Sequence, residues 1–451
     1  MTDHRNGLPS PQKYWALFAI LLSIAMTVLE STLINIALPT LSRDMQITAA
    51  QSVWIVNTYQ LAIVVAMLPM ASLGEIFTYR RVFKIGLWAF LAASLGCALS
   101  RQFEMLIGFR VVQGLAAAAI MSVTPALLRF TYSQEQFGRA IGFNALIVAV
   151  AAAAGPILGS LVLSVASWPW LFALSIPSCL IILVTGARVL PATAPAKHPF
   201  DWISALLCAI AFGCIVTGAD RLISQPTVAI SLVGVGVMAG WLLVRRELPR
   251  AAPLLPLDLL RIKPFAYSIG ASMTAFSSHT IANIALPFYF ANTLGRSQLE
   301  LGLLMMPWPI AVAIAAPTAG RLSERISPAI LCSVGTGMVA AGMIIMALIP
   351  TSTPNSVMVS IMFLSGVGFG LFQTPNNRVM LTTAPRHRSG SAGGMQGTAR
   401  QSGMALGAAI TALAFTAGGD SYGATIALLV SATLSIASSW ISTQRPPSQV
   451  K

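Results

Sequence analysis

Acidic residues are scarce in this chain. Only 13 Asp and Glu stand against 27 Lys and Arg in 451 residues, and charged residues together make up 9%. Soluble domains carry about 25%, so the polar surface that water demands is missing. Histidine (4) and cysteine (5) are also few. The cysteines Cys97, Cys179, Cys208, Cys214 and Cys332 stand singly, mostly in apolar runs. Neither a metal site nor a disulfide framework is expected of them, and they read as small packing residues. No Gly-rich phosphate loop, His/Cys metal cluster or nucleophile elbow occurs. Neither ATP-driven transport nor membrane catalysis therefore has a visible engine. The expectation is a protein that is not an enzyme and uses no cofactor or metal.

What is present is apolar. The chain is 56% hydrophobic, with a mean hydropathy of +0.78. A spanning helix needs about 20 largely apolar residues, and fourteen segments meet that need: 14–39, 53–73, 82–100, 104–128, 138–163, 168–190, 202–220, 226–244, 264–290, 298–320, 327–350, 355–380, 389–416 and 422–442. The reading is an all-α polytopic membrane protein. The polar start is followed by an apolar run too long for a signal peptide, so residues 1–13 are read as a cytoplasmic leader. With that end inside, cytoplasmic segments hold 21 of the 27 basic residues, the outer loops hold Arg43, Arg101, Arg221 and Arg296, and Arg110 and Arg400 fall within spans. The positive-inside rule then places both termini in the cytoplasm. The net charge of +14 becomes a rim facing anionic lipid, and no nucleic-acid partner is expected.

A weak internal repeat runs through the chain. "ASLGEIFTYRR" (Ala71–Arg81) and "GRLSERISPAI" (Gly320–Ile330) each place an acid, Glu75 or Glu324, in a short basic loop eight spans apart. Residues 14–190 and 264–442 would be two parallel six-helix bundles. Residues 191–263 would carry two inserted helices, and 443–451 a cytoplasmic tail. Parallel repeats around a midplane site are a transporter architecture.

Depth singles out two charges. Glu30 lies nine residues before Pro39 at the outer end of the first span, about 13 Å down at 1.5 Å per residue. Arg110 lies eight residues after Gln102, about 12 Å down. Intramembrane charges pair with one another or line a watery cavity. Glu30 shares a helix face with Ser23 and Thr27 and is a natural proton carrier, since burial and a neighbouring cation pull its proton affinity in opposite senses. A static structural pair with Arg110 is the alternative. In the fifth span, "AAAAGPILGS" (Ala151–Ser160) reads either as a hinge or seam or as ordinary small-residue packing. Polar and aromatic residues within spans, with 19 Met, suggest an adaptable cavity for greasy ligands. The candidates are Trp54, Tyr59, Gln60, Asn144, His279, Asn283, Trp308 and Gln373.

Together these residues resemble the major facilitator superfamily and, within it, the fourteen-span drug:proton antiporter family. "LESTLINIALPTL" is similar to the family signature D-x-T-x-x-N-x-A-L-P, with Glu30 where Asp is usual. "ASLGEIFTYRRVF" resembles the motif G-x-L-a-D-r-x-G-r-r, with Ala71 and Thr78 in the places of its glycines, Glu75 in that of its acid, and Arg80 and Arg81 retained. "FRVVQG" matches the fourth-span motif, and "GPILGS" the antiporter motif G-P-x-x-G-G up to Ser160. "SWPWLFALSIP", "GLFQTPNNRVM" and "GTARQSGMALGAA" look like later signatures.

The resemblance implies the major-facilitator fold, two six-helix bundles plus two inserted helices. It also implies proton coupling through Glu30 and Arg110, a cytoplasmic gate at Gly74, Glu75, Arg80 and Arg81, and a seam at Gly155, Pro156 and Gly159. The expected activity is export of lipophilic, cationic drugs across the inner membrane in exchange for protons, by alternating access, with drug and proton competing at Glu30. The expected partners are small-molecule drugs, protons and membrane lipid, and the expected state is a monomer. Two other readings stand beside it. One is an exporter of an anionic metabolite or siderophore, bound by Arg400; the other is a transporter-derived sensor that moves nothing.

Overall fold

A computed structural model describes residues 8–445, apart from residues 133, 192, 194, 196–199, 249–256 and 386–388. The side chains of 134–139, 141, 142, 145, 149, 187, 188, 389–391, 420 and 421 also lie outside the description. The described chain is helical throughout. In order, the helices are α1 (Gln12–Asp44), α2 (Ala49–Phe77), α3 (Tyr79–Leu99), α4 (Phe103–Thr131), α5 (Gln134–Val165), α6 (Pro169–Ala173), α7 (Ser175–Val189), α8 (Trp202–Asp220), α9 (Pro226–Glu247), α10 (Lys263–Phe288), α11 (Gln298–Met305), α12 (Pro307–Leu322), α13 (Pro328–Leu348), α14 (Asn355–Thr383) and α15 (Ser389–Thr443). Helices are what a bilayer requires, because each satisfies its own backbone polar groups.

Among the described residues thirteen helical stretches are long and apolar enough to span a membrane. The one expected span outside these thirteen, 264–290, the ninth in order, is the 26-residue helix α10. Its Ser, Thr, His and Asn residues dilute its hydropathy, and most of them are turned inward: Ser268, Ser272, Ser277, Ser278 and Thr280 are all buried. The last two expected spans run together as α15, divided at Gly419, whose φ of 59° lies where glycine is favoured. Large apolar side chains such as Ile85, Leu99, Val165, Val184 and Trp440 stand exposed on the perimeter, where acyl chains solvate them.

The first seven helices pack on one another, as do the last six, and the two groups meet reciprocally. Helix α5 of the first packs on α11 of the second, while α2 of the first packs on α15 of the second. The second span of each group also starts alike. Thr48 and Gln51 form a capping box at the start of α2, and Ser297 and Glu300 form one at the start of α11. Helices α8 and α9 form a hairpin laid against α2 and α15. Its tight crossing depends on Gly218 and Gly236, and Asp201–Arg246 (3.2 Å) and Ser204–Glu247 (2.7 Å) tie one end.

Candidate functional site

The axial positions of Glu30 and Arg110 coincide, and the fold brings them together. Arg110 Nη1 lies 3.3 Å from Glu30 Oε1, with both side chains essentially inaccessible. Arg110 is held more closely by other groups. Its Nε donates to the Ile55 carbonyl at 2.8 Å and its Nη1 to Gln113 Oε1 at 2.7 Å. Gln113 Nε2 donates in turn to Ser94 Oγ at 3.0 Å, which Ser175 Oγ reaches at 3.0 Å. A polar chain thus crosses the first bundle from α1 through α4 and α3 to α7. The Tyr59 ring lies 4.2 Å from the guanidinium carbon, within cation–π range. Gln113, three residues after Arg110, is a member of the site that the search for deep charges passes over.

Between the bundles lies a cavity of about 2540 Å³. It reaches from the middle of the helices to Glu75, Tyr79, Arg129 and Tyr132. That is the end where the chain starts, because Leu8 N–H donates to the Thr131 carbonyl at 3.0 Å. The opposite end is closed by α1 against α11: Gln298 meets Thr40 and the Ile36 carbonyl at 3.4 Å each. Tyr59, Gln60, Asn144, His279, Asn283, Trp308, Gln373 and Arg400 all line the cavity. Phe276, Phe369, Met305 and Gln401 join them, although as apolar or late-span residues they give no sequence signal of their own.

Two expectations are corrected. Glu30 and Arg110 do not face the cavity; Thr27, Ser31, Tyr59 and Gln60 form the wall in front of them. Direct competition between a cargo and a proton at Glu30 is therefore not the geometry. Trp54 is not in the cavity either, but turns towards α8, where Asp220 lies beside it. Ile63, nine residues later, does line the cavity, and nine residues at 3.6 per turn are about half a turn out of phase. At the mouth, Glu75 stands with Tyr79 and Arg129, while Arg80 and Arg81 lie off the lining. In the second bundle the corresponding acid, Glu324, lies 3.8 Å from Arg378 of α14.

Gly74 is buried where a Cβ would come within 2.8 Å of Val123. At the seam, a Cβ on Gly155 would sit 2.6 Å from Thr32 Cβ, and one on Gly159 would sit 2.7 Å from Ile36 Cγ2. A Cβ on Gly302 of α11 would lie 2.5 Å from Ser160 Cβ and 3.0 Å from the Pro156 carbonyl. Helix α5 is thus pressed against α1 on one side and against the second bundle on the other, and Pro156 also lines the cavity. The described cysteines are free, and all but Cys214 are buried, in keeping with packing roles.

A family model described as Major Facilitator Superfamily matches residues 20–408. The chain is 44% identical to the uncharacterized transporter YebQ of Escherichia coli, over 97% of this chain and 96% of that one. It is 29% identical to the multidrug efflux pump LfrA of Mycolicibacterium smegmatis, over 91% and 84% of the two chains. Its fold is similar to that of a bacterial homolog of the human lysosomal transporter Spinster, crystallised inward-facing and unoccupied. That similarity has a TM-score of 0.67 at 15% identity, covering 98% and 100% of the chains.

Proposed function

Since this chain belongs to the Major Facilitator Superfamily, we propose that it is a proton-coupled exporter of lipophilic small molecules, working by alternating access in the inner membrane with both termini cytoplasmic. The observation that carries the proposal is the fully buried Glu30–Arg110 pair behind one wall of a cavity open at one end. A carboxylate is costly there, on the order of 2.5–3.5 kcal/mol even on lenient insertion scales, and its natural use is to take up and release a proton. The reading places the chain with the drug:proton antiporters as a non-enzymatic monomer, and the motif match around Gly155 and the multidrug relative support it.

In the proposed cycle, cargo from the cytosol or inner leaflet enters the cavity at the Glu75 end. Tyr59 touches both compartments, since it lines the cavity and stacks on Arg110. A cargo that moves Tyr59 alters the setting of the pair without touching it, and the proton leaves Glu30 inward. Rocking along the α5–α11 and α2–α15 seams then opens the other end. Cargo departs and Glu30 is reprotonated from outside. Glu75 and Arg129 hold the mouth when it is shut.

Everted vesicles test this reading. Release of an imposed pH gradient on adding a lipophilic dye is expected in the wild type and should vanish in Glu30→Gln. Unchanged release in Glu30→Gln would remove Glu30 from the mechanism. Dye binding with no flux for any compound would favour the non-transporting sensor.

A further inference from the structure

One wall of the cavity has an unbalanced set of polar groups. Arg400 of α15 reaches the cavity with its guanidinium carbon 5.5 Å from the Phe276 ring. Its Nε is buried with no acceptor among the described residues, and the same holds for the indole Nε1 of Trp308, itself only 4% exposed. Arg400 makes no ion pair with any described carboxylate. The one acid among the described lining residues is Glu75, exposed at the mouth. Beside these donors stands an aromatic cluster. The His279 and Phe369 rings stack at 4.4 Å and 17°, Trp308 lies 5.5 Å from His279, and Phe276 meets Phe369 edge-on at 5.4 Å.

A guanidinium with no counter-ion suits planar, two-oxygen anions such as carboxylates. Buried donors without acceptors carry a penalty until something supplies an oxygen. Flat aromatic surfaces beside them accept a ring by stacking or edge contact. What the wall lacks is one object with a ring and an anionic oxygen.

We propose that Arg400, Trp308, His279, Phe369 and Phe276 form a subsite for aromatic anions, with the anionic group on Arg400 and Trp308 Nε1 and the ring against His279 and Phe369. The subsite rests on the transporter reading above and gives its cargo a chemical class, in place of the cationic cargo that the motif resemblance implies. The carboxylate that would draw a cation, Glu30, is behind the wall.

The test is calorimetric titration of the full chain in lipid nanodiscs, with empty nanodiscs subtracted and no proton gradient. The probes are 2-naphthoate, 2-naphthylmethylammonium and cyclohexanecarboxylate, so that charge sign and ring are varied separately. The expected result is naphthoate binding about tenfold tighter than the ammonium probe, the factor a charge-assisted hydrogen bond supplies, and several-fold tighter than cyclohexanecarboxylate, which lacks an aromatic face. In Arg400→Gln naphthoate should fall to the level of the ammonium probe, and in Trp308→Phe it should weaken several-fold with the ammonium probe unmoved. Ammonium binding as tight as naphthoate in the wild type would overturn the proposal, as would unchanged naphthoate affinity in a folded Arg400→Gln. Should that variant fail to fold, the wild-type ranking and Trp308→Phe decide. Because no gradient is present, the outcomes separate. Naphthoate preference without proton release in vesicles sinks the coupling and leaves the subsite, and proton release without the preference does the reverse.

Discussion

At the scale of single residues, the Glu30–Arg110 pair is unequal. Arg110 is fixed by Ile55, Gln113 and Tyr59, whereas Glu30 touches it through one nitrogen at 3.3 Å. Charge-assisted N–H···O bonds ordinarily run about 2.7–2.9 Å. The cation is thus built in and the carboxylate is the replaceable partner, as the proposed proton carrier should be. Arg110→Ala leaves a carboxylate alone in the bundle, so a loss of about 3–5 kcal/mol is expected. Glu30→Gln removes the counter-charge of Arg110 but leaves its Ile55 and Gln113 acceptors, so its loss should be smaller than that of Arg110→Ala. Gln113→Leu takes one partner from Arg110 and one from Ser94, with an expected cost of about 1–3 kcal/mol. Thermal unfolding of the purified protein, followed by size exclusion, would rank the three; a Glu30→Gln variant less stable than Arg110→Ala contradicts this asymmetry.

Among the helices, Gly155 and Gly159 let α5 pack closely on α1. Gly155→Val and Gly159→Val each drive a side chain into α1, and transport should fall at least about tenfold, since over-packing costs about 1–3 kcal/mol. Gly108 faces open space with nothing within 4 Å, so Gly108→Ala should leave flux unchanged and serves as the control. Dye efflux from cells makes the comparison, with protein level checked by immunoblot. Thr78, between α2 and α3, has a φ of 80°, which a β-branched residue adopts only under strain. It stands where the resembling motif has glycine. Strain of this kind is worth about 1–3 kcal/mol, so Thr78→Gly should raise the unfolding temperature, and a lowered one would show that the junction is relaxed.

For the whole molecule, alternating access requires that the α1–α11 closure open. Thr40→Cys with Gln298→Cys, joined by a short thiol cross-linker, should lock that end, abolish efflux and leave binding from the open end intact. Efflux that survives complete cross-linking would show that this closure is not the moving gate. Charge movement tests the cargo class. Each elementary charge crossing 100 mV is worth about 2.3 kcal/mol. One proton inward against one monovalent cation outward is electrically silent, whereas a proton inward with an anion outward moves two charges in the same sense. A naphthoate-evoked current in proteoliposomes is therefore expected, and its absence during measured transport would reject that stoichiometry.

The depth of the two charges was legible because a continuous helix fixes axial position at 1.5 Å per residue. Length and hydropathy likewise carried the helical architecture, since a bilayer accepts little else. Where a helix was polar, as in α10, hydropathy could not tell an inward serine from an exposed one. The rotational phase of one helix against its neighbours was also hidden. Only packing turned Trp54 to α8 and Tyr59 to the cavity, set Glu30 behind a wall rather than in it, and gathered His279, Phe369 and Trp308 from three helices into one cluster. Sequence by itself determined what each helix contains and how deep each residue sits, for these are properties of one segment in one solvent. Tertiary structure decided which faces meet, because that depends on glycine contacts and side-chain volumes contributed by segments far apart in the chain.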